Sequence, residues 1–195
     1  MTITGANDSG IRLDSTSTTL ENIMITDNES SSYGGGIYAR YSNLTLNNAT
    51  ISNNTAVIRG GGMDLLFSPI TLENGIIDNN TSKNGGGINT WGSDSEAAEI
   101  ILTNVIISNN FAEAQDNDDG SQSGGYGGGI YNRSSFIFSD VIITGNIATR
   151  QGGGAIFDWT GGSLTNVVVS DNIAVEDDGG GIFSFWSNLF LENVT

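Results

Sequence analysis

The chain contains no cysteine and no histidine. The first absence excludes a disulfide framework, thiolate metal sites and a cysteine nucleophile. The second removes Ser-His-Asp and Cys-His catalysis, together with the commonest transition-metal ligand. Proline occurs once, and six basic residues stand against 22 acidic ones, for a formal net charge of −16. That charge opposes binding to nucleic acid or to an anionic membrane surface, and no basic patch offsets it. No apolar run approaches the ~20 residues of a membrane span, so no membrane insertion by this segment is expected. The opening MTITGANDSG lacks the basic region and apolar core of a signal peptide. The last residues, Leu191 to Thr195, fall in mid-repeat, so the chain reads as a fragment of a longer protein.

What is abundant is glycine, 28 of 195 residues. Much glycine with almost no proline fits tight turns repeated many times rather than a Pro-Gly linker. Gly triplets begin at Gly34, Gly60, Gly85, Gly127, Gly152 and Gly179, in steps of 26, 25, 42, 25 and 27 residues. The long step is a normal one carrying about 16 extra residues. A second landmark keeps the register. An apolar residue stands two before Asn or Asp in Leu20/Asn22, Leu46/Asn48, Leu72/Asn74, Leu102/Asn104, Phe138/Asp140, Leu164/Asn166 and Leu191/Asn193. Six residues beyond the first six of these comes Asn28, Asn54, Asn80, Asn110, Asn146 or Asn172. Chance does not produce six identical intervals.

Each unit reads as three short strands, in the second unit GGGIYA at 34–39, SNLTL at 42–46 and ATIS at 49–52. Period-2 alternation bounded by Gly, Asn and Ser marks them as strands, and no helical period is sustained. Three strands in ~25 residues, with no room for helices, give an all-β parallel β-helix, a solenoid of about seven coils. One coil cannot bury its own apolar residues, whereas stacked coils share a core. The whole of 1–195 is expected to form a single β-helix domain, with 1–19 as an irregular lead-in rung. The insertions at 92–99 and 113–126 are polar and are expected to be loops leaving one corner of the rod.

The Asn series is expected to stack at rung spacing as a ladder of side-chain amides, because Asn tolerates left-handed backbone and satisfies turn carbonyls. The Gly triplets read as corners or as points of close backbone approach. They lack the Lys and Ser/Thr of a phosphate loop.

These phrases resemble the repeats of the chlamydial polymorphic outer-membrane proteins, which are marked by F-x-x-N and G-G-A-I. Here the first becomes Ile51–Asn54, Ile77–Asn80, Ile107–Asn110, Ile143–Asn146 and Val169–Asn172. The second appears as GGGI at 34, 85, 127 and 179, GGGM at 60 and GGGA at 152. Ile or Val replaces Phe, and a third Gly is added. The resemblance covers nearly all of 20–195. It implies a right-handed parallel β-helix in a secreted or surface-anchored, outer-membrane-associated protein, serving as an adhesin, a stalk or an autotransporter passenger.

Function is then expected where the rungs differ. Tyr41, Phe67, Trp159 and Trp186 stand seven residues past the start of a triplet, with Trp91 one place early. They form an aromatic edge, either a stack between rungs or a platform for sugar rings. Met24, Thr50, Ile76, Ile106, Ile142 and Val168 alternate with inward positions and so point outward. Apart from Thr50 they make an apolar ridge suited to self-association or to another protein. Asp116, Asp118 and Asp119, and again Glu176, Asp177 and Asp178, cluster as candidate Ca²⁺ ligands, without an EF-hand spacing. The alternative to an adhesive surface protein is a carbohydrate-binding or carbohydrate-cleaving β-helix. Asp64 and Asp158 are the carboxylates at comparable places, but about four rungs apart by a ~4.8 Å rung they are too distant to cooperate. Arg40 and Arg133 are read as having no in-register acidic partner. No enzyme is therefore expected, and no cofactor. A flat ice-binding Thr array fails because Thr45 and Thr71 give way to Ile101, Ile137 and Ser163.

Overall fold

The computed structural model describes residues 1–92, 98–116 and 121–195. Among these residues it is all-β, and every strand pairing is parallel except that of one small hairpin. Three sheets run the length of the solenoid. A seven-stranded sheet collects the short strands that follow the triplets, such as Ile37–Arg40, Met63–Leu66 and Ala155–Asp158. A nine-stranded sheet collects the longest strands, such as Asn43–Ser52, Ile70–Asp78, Ile100–Ser108 and Phe136–Thr144. A six-stranded sheet is built from two-residue strands such as Thr55–Ala56 and Phe111–Ala112.

Three strands per coil are therefore present, with boundaries displaced from the expected ones. The second and third expected strands fuse into one bent strand. Within Asn43–Ser52, Leu44 and Leu46 are buried, then Ala49 and Ile51, so the inward phase slips by one residue. The slip falls at Asn48, whose φ of 53° places it in the left-handed region. Asn22, Asn74, Asn104, Asp140, Asn166 and Asn193 do the same on their rungs. Asn and Asp accept this backbone more readily than other side chains, which is why the landmark recurs. The third strand is the two-residue one following each ladder Asn.

The core is continuous along the axis. Ile25, Ile51, Ile77, Ile107 and Ile143 are fully buried in one file, and Leu46, Leu72, Leu102, Phe138 and Leu164 in another. At about 1.5–3 kcal/mol for each such side chain, these files supply most of the driving force for stacking. Residues 1–19 are more regular than the missing triplet suggests. Ile11–Asp14 pairs in register with Ile37–Arg40, and Thr2–Thr4 with Met24–Thr26. The backbone amide of Gly10 donates to Gly35 O at 3.0 Å, where the other rungs have a triplet.

The two insertions leave from different corners, not from one. Residues 92–99 lie between Ile88–Trp91 and Ile100–Ser108, whereas 113–126 lie between Phe111–Ala112 and the triplet at Gly127. In the second, Gln115–Asp116 and Gln122–Ser123 form the antiparallel hairpin. Its described part is held to the two-residue sheet by bonds to Val57, Lys83 and Thr149.

Candidate functional site

The repeated Asn residues build the interior of one corner. Nδ2 of Asn28, Asn54, Asn80, Asn110 and Asn146 donates to Oδ1 of the next Asn along the rod at 2.9–3.0 Å. The same Nδ2 also reaches a backbone carbonyl of the rung before, as Asn80 does to Ile51 at 2.9 Å. Each Oδ1 accepts a second bond from a backbone amide, as Asn80 does from Asn54 at 3.0 Å. Both donors and both acceptor sites of each interior amide are thus satisfied while the residue is sealed from water. The left-handed backbone belongs to the preceding residue instead, Asp27, Asn53, Asn79, Asn109, Gly145 or Asp171. These groups have no capacity left for a ligand.

The Gly triplets are closed in the same way. Gly60 turns with φ 62°. A Cβ on Gly61 would lie 2.5 Å from the carbonyl oxygens of Gly86 and Thr81, and one on Gly62 would lie 2.6 Å from Gly87 O and 3.1 Å from Asn80 Nδ2. The third glycine is required first by the carbonyl of the neighbouring triplet and then by the amide ladder beside it.

Chemical variety gathers on the outer face of the seven-stranded sheet. One file of outward residues runs Arg12, Tyr38, Asp64, Asn89, Tyr131, Ile156 and Phe183. Beside it the residues preceding each triplet curl over this face: Tyr33, Arg59, Asn84, Tyr126 and Gln151. On the other side run Asp14, Arg40, Leu66 and Trp91, then Arg133, Asp158 and Phe185. All five arginines of the chain lie here over aromatic rings. Arg12 stands over Tyr38 at 4.7 Å, Arg40 over Tyr41 at 5.8 Å and Arg59 over Tyr33 at 4.4 Å. Arg133 stands over Trp91 at 4.5 Å and Arg150 over Tyr126 at 5.1 Å.

Arg40 and Arg133 do have in-register acidic partners, contrary to the sequence reading. Arg40 Nη2 is 2.9 Å from Asp14 Oδ2, and Arg133 Nε donates to Asp158 Oδ2 at 2.7 Å. Asp14 lies in the rung without a triplet, and Asp158 stands six residues past Gly152, as Arg133 does past Gly127. The signal was present in the spacing. Asp64 and Asp158 do not occupy comparable places. They lie in different files, three rungs apart, roughly 14 Å of axial rise.

Asp64 is almost wholly buried. It accepts from Asn89 Nδ2 at 2.6 Å, with Arg59 at 3.4 Å. Burial outweighs the Arg59 charge and pushes its carboxyl up to about 6. Tyr131 donates to Asp158 Oδ2 at 3.2 Å, and burial pushes its phenol up to about 12. The second oxygen of Asp158, Oδ1, is shielded from water and has no hydrogen-bond partner among the described residues. Asp158 lines a cavity of about 350 Å³ together with Tyr126, Tyr131, Gln151, Ile156, Phe183 and Phe185. Sequence reasoning missed this cavity: its walls flank three successive Gly triplets, but the triplets do not show that the residues before and after them meet.

The aromatic edge divides into two stacks. Tyr41 and Phe67 lie 5.3 Å apart and nearly parallel, as do Trp159 and Trp186 at 5.0 Å. All four have positive φ, so the corner itself turns their rings outward. Trp91 belongs to the neighbouring file, opposite Leu66, and joins neither stack. Phe185 packs edge-on against both Trp159 and Trp186 and so connects that stack to the cavity. On the nine-stranded sheet, Met24, Thr50, Ile76, Ile106, Ile142 and Val168 align in one register file. Its apolar members are 39–44% exposed. The described part of the 113–126 insertion lies elsewhere and does not cover them. Asp118 and Asp119, with the side chain of Asp116, fall outside the described residues. Asp177 pairs with Arg150 at 3.4 Å. No group of three or more Asp or Glu placed to hold a metal occurs among the described residues. No helix among them is long and apolar enough to cross a membrane.

A parallel stack of in-register rungs, closed inside and varied outside, defines a β-solenoid repeat protein. Residues 22–40 and 104–133 match the family model of the Chlamydia polymorphic membrane protein repeat, and through them the chain resembles that family. Both segments begin at a left-handed corner residue, Asn22 or Asn104, and end in the arginine of the outer face, Arg40 or Arg133. No curated protein and no solved structure matches the chain.

Proposed function

We propose that the chain is a rigid segment of a secreted or surface-anchored, outer-membrane-associated protein, a stalk or adhesive passenger that makes its contacts through its outer faces without catalysis. The observation that carries this reading is the division of labour between inside and outside. The ladder, the triplets and the apolar files are used up in holding the rungs, while arginines, aromatics and the apolar ridge vary outside. The match to membrane-protein repeats supports placement at a surface. The separation of Asp64 from Asp158, each tied to its own arginine, supports a non-catalytic role, since paired carboxylate chemistry needs both groups at one bond.

The ridge is the face we assign to protein partners, including a second copy of the chain. An exposed apolar file this long is more than a monomer ordinarily presents. The test is surface labelling of intact cells that make the protein, with protease shaving, followed by adhesion of those cells to immobilised host-surface proteins. Labelling and protease sensitivity without permeabilisation are expected, with adhesion lost on shaving. Antigen reached only after lysis would overturn the reading.

A further inference from the structure

We propose that the cavity on the outer face of the seven-stranded sheet, between Tyr126, Tyr131, Ile156, Asp158 and Phe183, binds a neutral oligosaccharide. This deepens the adhesive reading by naming what one face would hold, and it rests on that reading only for its biological use.

Three observations converge. The first is a polar side chain on a largely apolar wall. Gln151 lines the cavity, and its amide can both donate and accept. Asp158 stands beside it with its Oδ2 already taken by Arg133 and Tyr131. The second is the wall chemistry. Tyr126, Tyr131, Phe183 and Phe185 surround the cavity, with Ile156 among them. Rings beside one side-chain amide suit a molecule with both C–H faces and hydroxyls, which a pyranose offers. The third is continuity. Phe185 links the cavity to the Trp159–Trp186 stack, two residues that are 60% and 70% exposed, so a chain of several sugars would have a second platform outside the cavity.

The charges already present select against other occupants. Arg133 and Arg150 lie over the rings of Tyr131 and Tyr126 at 5.2 and 5.1 Å. An ammonium ligand would have to displace these guanidinium groups from the faces that would cage it. An acidic sugar would meet Asp158 and a chain of net charge −16. A peptide cannot add as a strand here, because this is a sheet face and its backbone groups are paired to the rungs on either side.

The experiment titrates the purified chain with neutral hexasaccharides of glucose, xylose and N-acetylglucosamine, read by tryptophan fluorescence and calorimetry. Saturable binding to at least one is expected with a Kd below about 1 mM. Ile156→Trp, which fills the cavity, and Phe183→Ala, which removes a wall, are each expected to weaken it at least tenfold. Thermal unfolding by circular dichroism checks that both variants keep the fold. Absence of binding to every hexasaccharide overturns the proposal, as does equal binding by a folded Ile156→Trp. Displacement of bound sugar by tetramethylammonium at equal concentration would also overturn it, in favour of a cation site. Cells that adhere in the labelling assay while the chain binds no hexasaccharide would leave the adhesive reading standing and remove only this one.

Discussion

Asn110 and Asn146 are 36 residues apart in the chain and one rung apart in space, with Nδ2 of the first 2.9 Å from Oδ1 of the second. The intervening residues include the longest insertion, and the ladder passes it without a break. Register is therefore set by the stack itself and not by the length of chain between rungs.

Replacing one interior ladder residue should be costly. In Asn80→Ala the amides of Asn54 lose their acceptor, and Ile51 O and Asn110 Oδ1 lose a donor, all without access to water. At about 1–3 kcal/mol for each buried group left unpaired, a loss of about 3–5 kcal/mol is expected. Urea unfolding should show it as a lower midpoint. Asn48→Ala removes only an exposed bond, from Asn48 Nδ2 to Asn22 Oδ1 at 2.7 Å, and is expected to cost less than half as much.

Glycine positions should separate by contact rather than by sequence. Gly61→Ala puts a methyl 2.5 Å from two carbonyl oxygens of the neighbouring rung, and backbone on both sides cannot move away. Loss of soluble, folded protein is expected. At Gly161 the nearest atom to an added Cβ is 3.4 Å away and no positive φ is required. Gly161→Ala should change the thermal midpoint by no more than a degree or two, roughly what a shift under 0.5 kcal/mol produces. Equal behaviour of the two variants would contradict the stacking geometry.

Asp64 gives a pH signature. Its carboxyl titrates at 3.8 unperturbed and at about 6 in the fold. An acid whose pKa is raised by folding holds its proton more tightly in the folded state. Its contribution to stability is therefore full below pH 3.8 and is lost as pH rises through about 6. The shift corresponds to about 3 kcal/mol at most. Asp64→Asn keeps an acceptor for Asn89 and removes the titration. The stability difference, variant minus wild type, should grow in the variant's favour from about pH 4 to about pH 7. Urea midpoints across that range measure it, and a difference independent of pH would refute the burial argument.

The ridge makes a prediction about association. Ile106 and Ile142 are neighbours on adjacent rungs and 39% exposed. Ile106→Lys with Ile142→Lys should abolish concentration-dependent self-association in sedimentation and leave the fold intact. A wild-type chain that remains monomeric to high concentration, with unchanged solubility in the variant, removes the ridge as a contact face.

The sequence by itself determined the solenoid. Period-2 apolar alternation, a fixed six-residue interval to each ladder Asn and the Gly triplets are local or periodic signals, and stacking multiplies each of them by the number of rungs. The bend at Asn48 and the two-residue strands were not legible, because a left-handed residue inside a strand leaves only an Asn, which also reads as a turn. The Arg133–Asp158 pair is legible, because each residue stands six past the start of its triplet and the triplets are successive. Only the tertiary structure decided which outward files face one another. Residues before a triplet curl over residues after it, so Tyr126 and Gln151 meet Tyr131, Ile156 and Asp158 in one cavity. That meeting depends on the curvature of the rung, which no spacing along the chain encodes. It also decided that Asp158 Oδ1 has no donor among the described residues, because the position of one oxygen depends on packing from three rungs at once.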